Sequence, residues 1–159
     1  MLARREARQH RQLMLLAAHE APVVSLTVVT PGPVKTSEII ERVFRTGLGE
    51  VMAVLDAHAW VVAEADEVHE ETGPEWLASV AADPEELKRA LVALEDAHPW
   101  GRLWDVDVVT FAGPLSRSEF GLASRRCLVC GAPAHACARS RRHSLAELAA
   151  AVEEIVARG

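Results

Sequence analysis

"APVVSLTVVTPGPVKTS", residues 21–37, passes from an apolar, β-branched run through a proline–glycine break to a pair of hydroxyl residues. Val23, Val24, Leu26, Val28 and Val29 favour a buried, pleated strand. Pro31, Gly32 and Pro33 end it, because proline removes a backbone donor and glycine permits the turn. Thr36 or Ser37 then caps a helix, and "EIIERVFRTGLGEVMAVLDA", residues 38–57, carries the helical period. Upstream, residues 1–20 are rich in Ala, Leu, Arg and Gln and read as another helix. A strand set between two helices points to the α+β or α/β class.

The rest of the chain continues the alternation. "WVVAEADEVHEET", residues 60–72, reads as a strand running into a loop. "PEWLASVAA", residues 74–82, and "DPEELKRALVALEDAHP", residues 83–99, read as helices, the second with Asp83 as cap and Pro84 at its first position. "GRLWDVDVVTF", residues 101–111, alternates like a strand, and "AGPLSRSEFG", residues 112–121, reads as a loop. Ser144 and Glu147 form a capping box for a last helix over residues 145–158. At 159 residues the chain suits one compact domain spanning 1–159, a mixed sheet with flanking helices around one core.

Composition narrows the class. Half the residues are hydrophobic and a quarter charged, as in globular proteins. No apolar run reaches the ~18 residues of a membrane helix, and the arginine-rich start lacks the apolar centre of a signal peptide. The expectation is a cytoplasmic protein with no membrane partner. Three cysteines cannot all pair within the chain, so they read as free thiols or metal ligands. Charge is uneven. Residues 46–100 hold thirteen acids against Lys88 and Arg89, which reads as a solvated face, while residues 101–143 hold seven arginines against three acids. Arg4, Arg8 and Arg11 share a helix face and suit a protein partner.

Three segments can carry chemistry. Asp105 and Asp107 are two apart on a strand, so both carboxylates project from one face, and Mg²⁺ bridging them to phosphate would relieve their repulsion. Lys35 sits in a turn leading to a helix N-terminus, an arrangement suited to an anion. Cys127, Cys130, Cys137 and His143 follow a C-x2-C-x6-C-x5-H spacing that offers three thiolates and an imidazole to Zn²⁺, with His135 as a competing ligand. In the same stretch Arg139, Arg141 and Arg142, with His143, precede a helix start and suit a phosphate chain.

"SLTVVTPGPVKTS", "LEDAHPWGRLWDVDVV", "LSRSEFGL" and "RRCLVCGAPAHACARSRRHSLAEL" together resemble the CitX family, the citrate lyase holo-[acyl-carrier protein] synthases. The resemblance spans nearly the whole chain, with Val29-Thr30 standing where the family usually has Asn-Ile before Pro-Gly. It implies transfer of the prosthetic group of triphosphoribosyl-dephospho-CoA to a serine of the apo acyl-carrier (gamma) subunit of citrate lyase, with release of pyrophosphate. By analogy with a paired-aspartate nucleotidyltransferase motif, it implies a nucleotidyltransferase-like fold with Asp105 and Asp107 as the catalytic pair and Mg²⁺ as cofactor. Lys35, Arg102, Arg117, Arg139, Arg141, Arg142 and His143 would then neutralise the triphosphate. No nucleic-acid partner is expected. Two other readings stay open on the residues alone: a non-catalytic zinc module recognising an acidic partner, and a nucleotide-binding regulator.

Overall fold

The computed structural model describes residues 2–32 and 36–159. The elements run α1 (Leu2–His19), β1 (Val23–Val28), α2 (Glu38–Ala57), β2 (Val61–Glu70), β3 (Gly73–Ala81), α3 (Pro84–Ala97), β4 (Trp104–Thr110), β5 (Gly113–Pro114), α4 (Ala134–Ser140) and α5 (Leu145–Arg158). Short 3₁₀ turns at Gly101–Leu103 and Arg117–Phe120 precede β4 and follow β5. The strands form one sheet in the order β2-β3-β1-β4-β5, and every neighbouring pair is antiparallel. The class is α+β, with the expected mixed sheet antiparallel throughout. No helix among the described residues is long and apolar enough to cross a membrane.

The proline–glycine break does what its residues require. β1 stops at Val28, Gly32 turns at φ +85°, and Ser37 caps α2 by accepting from the Ile40 N–H at 3.2 Å. Asp83 caps α3, and the Ser144–Glu147 box opens α5. One expectation fails. Residues 74–81 of this stretch belong to β3 rather than to a helix. Their Ala, Leu and Glu favour helix locally, but β3 lies between β2 and β1 with nearly every residue buried. A strand buried on both faces shows no apolar–polar alternation, so the period that identifies a strand is absent.

The two sheet faces differ. Val24 and Leu26 of β1, Trp76, Ala78 and Val80 of β3, and Trp104, Val106 and Val108 of β4 pack under α2 and α3 in the main core. On the other face Val23, Leu77 and Val109 meet Leu15 and Leu16 of α1. The register then places Ser25 beside Asp107, and Thr27 between Glu75 and Asp105, on that second face. It is apolar at one end and polar at the other, and α1 runs from one to the other.

Trp104 anchors the start of β4. Its indole N–H donates to the Val43 carbonyl at 2.9 Å, and its ring occupies the space beside Gly47 of α2. A Cβ at Gly47 would lie 2.6 Å from the indole nitrogen, so this helix glycine marks a close approach of α2 to β4. Gly47→Val is expected to cost about 1–3 kcal/mol by overpacking, read as a lower melting temperature. Unchanged melting would mean that α2 and β4 separate freely.

Candidate active site

β4 is hydrogen-bonded to β1 along one edge, but β5 covers only Val109 and Thr110 on the other. The Leu115 N–H meets Val108 O at 2.8 Å, and side chains meet other edge groups. Lys88 Nζ donates to Val106 O at 3.3 Å, the Val106 N–H donates to Glu95 Oε1 at 3.1 Å, and Arg125 donates to Trp104 O. Unpaired backbone groups are costly away from water, which accounts for two charged side chains of α3, Lys88 and Glu95, being buried. The acidic stretch is therefore not only a solvated face: Glu75 and Glu95 are both core residues. Burial pushes the Glu95 carboxyl above the ordinary range, against the pull of Arg125 and of Arg117, which donates to it at 2.7 Å.

Asp105 and Asp107 project from the face opposite the main core, as their spacing predicts, and both are about half exposed. Arg125 pairs with Asp105, and Lys88 Nζ stands 3.9 Å from the Asp107 carboxylate. Burial, then the neighbouring charge of Asp105, raises the Asp107 carboxyl above its usual range. A carboxylate held under like-charge pressure on the same face as a second is a place where a cation relieves strain.

Three recesses meet at Asp105 and Arg125. The largest, about 730 Å³, is walled by Leu128, Leu145 and Leu148 and carries Arg102, Arg125 and Arg141. A groove of about 250 Å³ holds both aspartates together with Lys88, Arg117, Arg125 and His135. A third pocket, about 240 Å³, runs from Asp105 and Thr27 to Arg5 and Arg8. Arg125 borders the first two and Asp105 the last two. Inside the large cleft, burial and then the charge of Arg125 lower the Arg102 pKa.

The cysteine segment folds into a knuckle. The Cys127 N–H donates to Ala132 O at 2.6 Å, the Gly131 N–H to Cys127 O at 3.3 Å, and Gly131 takes φ +68° at the turn. Helix α4 then presents Cys137, and His143 follows before α5. The ligand atoms of Cys127, Cys130, Cys137 and His143 all lie within 4.8 Å of one another. Sγ of Cys130 is 3.5 Å from that of Cys137 and 3.3 Å from Nε2 of His143. Sulfurs about 2.3 Å from a tetrahedral zinc stand about 3.8 Å apart, so this donor set fits that ion. His135 is not in the cluster and instead lines the aspartate groove. Burial and the two neighbouring thiols push the Cys137 thiol up to about 11. The Cys127 thiol is lowered in spite of its burial, because the Cys130 and Val129 N–H groups point at its sulfur.

Of the other residues singled out by sequence, Arg102, Arg141 and His143 line the large cleft. Arg141 holds φ +48°, which few non-glycine residues adopt. Arg139 and Arg142 are exposed and do not line it. Arg117 borders the aspartate groove, but its guanidinium is bonded to Glu95 and to Asp96 at 2.9 Å. Lys35 lies outside the described residues. Arg4, Arg8 and Arg11 do share a helix face, yet that face turns inward: all three meet buried Glu75, and Arg4 and Arg11 also pair with Glu70 and Asp66. Sequence reasoning missed Arg125, Lys88, Glu95 and Glu75, because a buried charge far from its partner in the chain has no local signature.

Comparison with known proteins identifies the relatives of this chain. All of residues 1–159 match the family CitX, described as apo-citrate lyase phosphoribosyl-dephospho-CoA transferase. The chain is 41% identical over 157 residues to the apo-citrate lyase phosphoribosyl-dephospho-CoA transferase of Escherichia coli strain SMS-3-5, covering 98% of this chain and 86% of the relative. It is similar to the protein of the same name from Shigella boydii serotype 18 by the same measures, 41% over 157 residues. The chain belongs to the apo-citrate lyase phosphoribosyl-dephospho-CoA transferase family.

Proposed function

We propose that this protein attaches the prosthetic group of citrate lyase, using triphosphoribosyl-dephospho-CoA as donor and a serine of the apo acyl-carrier subunit as acceptor. The observation that carries the mechanism is the pair Asp105 and Asp107 on one sheet face in a single groove, with Asp105 also bordering a second pocket. A bond forms between the serine oxygen and the α-phosphorus of the donor, and the anhydride bond to the β-phosphate breaks. The electron pair leaves with pyrophosphate, and the serine proton passes to water in the aspartate groove. Such displacements depend on positioning and on charge placed against phosphate oxygens.

Asp105 and Asp107 would hold Mg²⁺, and when bound the ion supplies charge stabilisation on the phosphate oxygens. Arg125 steers Asp105, and Lys88 steers Asp107. The large cleft suits the body of the donor, because its leucines offer apolar surface while Arg102, Arg141 and His143 offer donors to phosphate. Arg117 acts as a positioning residue through Glu95. The cysteine cluster takes Zn²⁺ as a structural ion, and two of its thiols and His143 form part of the cleft wall. Thiols kept for metal suit the reducing cytoplasm, where the reaction is placed.

The test is direct. The protein is mixed with apo-carrier, donor and MgCl₂, and the mass of the carrier is measured. An added phosphoribosyl-dephospho-CoA mass is expected. A folded, zinc-loaded protein that leaves the carrier unchanged would favour a non-catalytic interaction module. Arg141→Ala is expected to weaken donor binding by about 1.5–3 kcal/mol, through loss of a charged hydrogen bond, with carrier affinity unchanged. Arg139→Ala and Arg142→Ala, at exposed residues that do not line the cleft, should bind donor like wild type in the same titration.

A further inference from the structure

We infer that the pocket between α1 and the β1–β3 pair is a pyrophosphate subsite, with Arg5, Arg8 and Thr27 as its donors. The inference rests on the transfer reaction proposed above, which assigns no place to the leaving group.

Charge on this face is not balanced. Glu75, 1% exposed, faces Arg4, Arg8 and Arg11. Arg4 is fully engaged, bonding Glu75 at 2.9 Å, Gly73 O at 3.3 Å, and Glu70. Arg11 is engaged as well, with Asp66 at 2.7 Å and Glu75 at 3.0 Å. Those two pairs suffice to fasten α1 to the sheet. Arg8 meets Glu75 through Nε at 2.5 Å, and among the described residues neither its two Nη groups nor the Arg5 guanidinium donates a hydrogen bond. Asp105 also borders the pocket but is paired with Arg125, so four arginines stand against Glu75, Glu70 and Asp66, and the surplus faces the pocket. An arginine fork left open beside a neutralised carboxylate recognises phosphate oxygens bidentately.

Position makes the anion a leaving group. Thr27 is the register partner of Asp105, so the pocket opens on the same sheet face, one strand inward from β4. The aspartate groove, with Asp107 and Ser116, opens outward across the edge of β4 that β5 leaves uncovered. Asp105 borders both. In-line displacement needs the entering and departing oxygens on opposite sides of phosphorus. With the serine oxygen entering from the groove, the β-phosphate departs toward Arg5 and Arg8, and these cations stabilise the negative charge gained by the former bridging oxygen. The pocket's volume of about 240 Å³ equals roughly eight waters of liquid, room for a diphosphate and some of its hydration.

The probe is inorganic pyrophosphate with MgCl₂, titrated calorimetrically into the full chain, alongside its inhibition of carrier modification. Arg5→Ala removes an exposed side chain with no packing role, and Thr27→Val keeps the side-chain shape. Each is expected to weaken pyrophosphate roughly ten- to hundredfold and to relieve product inhibition in step. Wild-type affinity in both variants, absence of pyrophosphate binding to wild type, or loss of binding in Arg141→Ala instead would overturn the subsite. The two readings fail separately. Modified carrier with unaltered pyrophosphate binding in the variants removes the subsite and keeps the transfer. The expected binding pattern with unmodified carrier keeps the anion site and removes the transfer.

Discussion

Asp105→Asn and Asp107→Asn are each expected to lower the transfer rate by at least about two to three orders of magnitude while leaving the fold in place. Both side chains are half exposed, so neither supports the core. Arg125 keeps its bond to Trp104 O and its position near Glu95 when Asp105 is neutral, and Lys88 keeps Val106 O when Asp107 is neutral. Asparagine preserves shape and removes charge, so the loss isolates the carboxylate's hold on a cation and phosphate. Rate and melting are measured on the same preparations. Melting should stay within about 4 °C of wild type, the shift that ~1 kcal/mol produces at this chain length. Wild-type turnover in either variant at millimolar Mg²⁺ would take that residue out of the mechanism.

Removing metal from the cysteine cluster should produce the largest structural effect. Beyond β5, only Cys127, Cys137 and Val156 are buried apolar residues, so the C-terminal segment has almost no core of its own. A segment of this kind needs a staple, and binding energy at a structural zinc site is folding energy. Purified protein is expected to hold about one zinc. Chelation, or Cys130→Ser, should cost on the order of several kcal/mol at about 2–4 °C each in melting temperature. Donor affinity should fall with it, since Cys127, Cys137 and His143 line the large cleft. Metal analysis, calorimetry and donor titration check this together. Metal-free protein that melts and binds donor like zinc-loaded protein would leave three ordinary thiols.

Local chemistry made much of this molecule legible in its residues. Pro31 and Gly32 end β1, Ser37 and Asp83 open helices, and Ser144 with Glu147 opens α5, because caps and breakers act within a few residues. The two-residue period of a strand puts Asp105 and Asp107 on one face whatever surrounds them. Ligand type likewise singled out Cys127, Cys130, Cys137 and His143 before any geometry, although only the knuckle shows that His143 rather than His135 stands beside the thiols. Other features were decided only by the tertiary structure. β3 is a strand because β1 and β2 supply its hydrogen bonds from both sides, overriding the helical preference of its alanines and leucine. Lys88 and Glu95 are buried because β4 leaves edge groups that only α3 reaches. Arg4, Arg8 and Arg11 turn inward because Glu75, more than sixty residues away, waits beneath them. Periodicity and capping are set by neighbours in the chain, whereas the partner of a buried charge is set by which distant strand lies beside it, and only the folded sheet determines that.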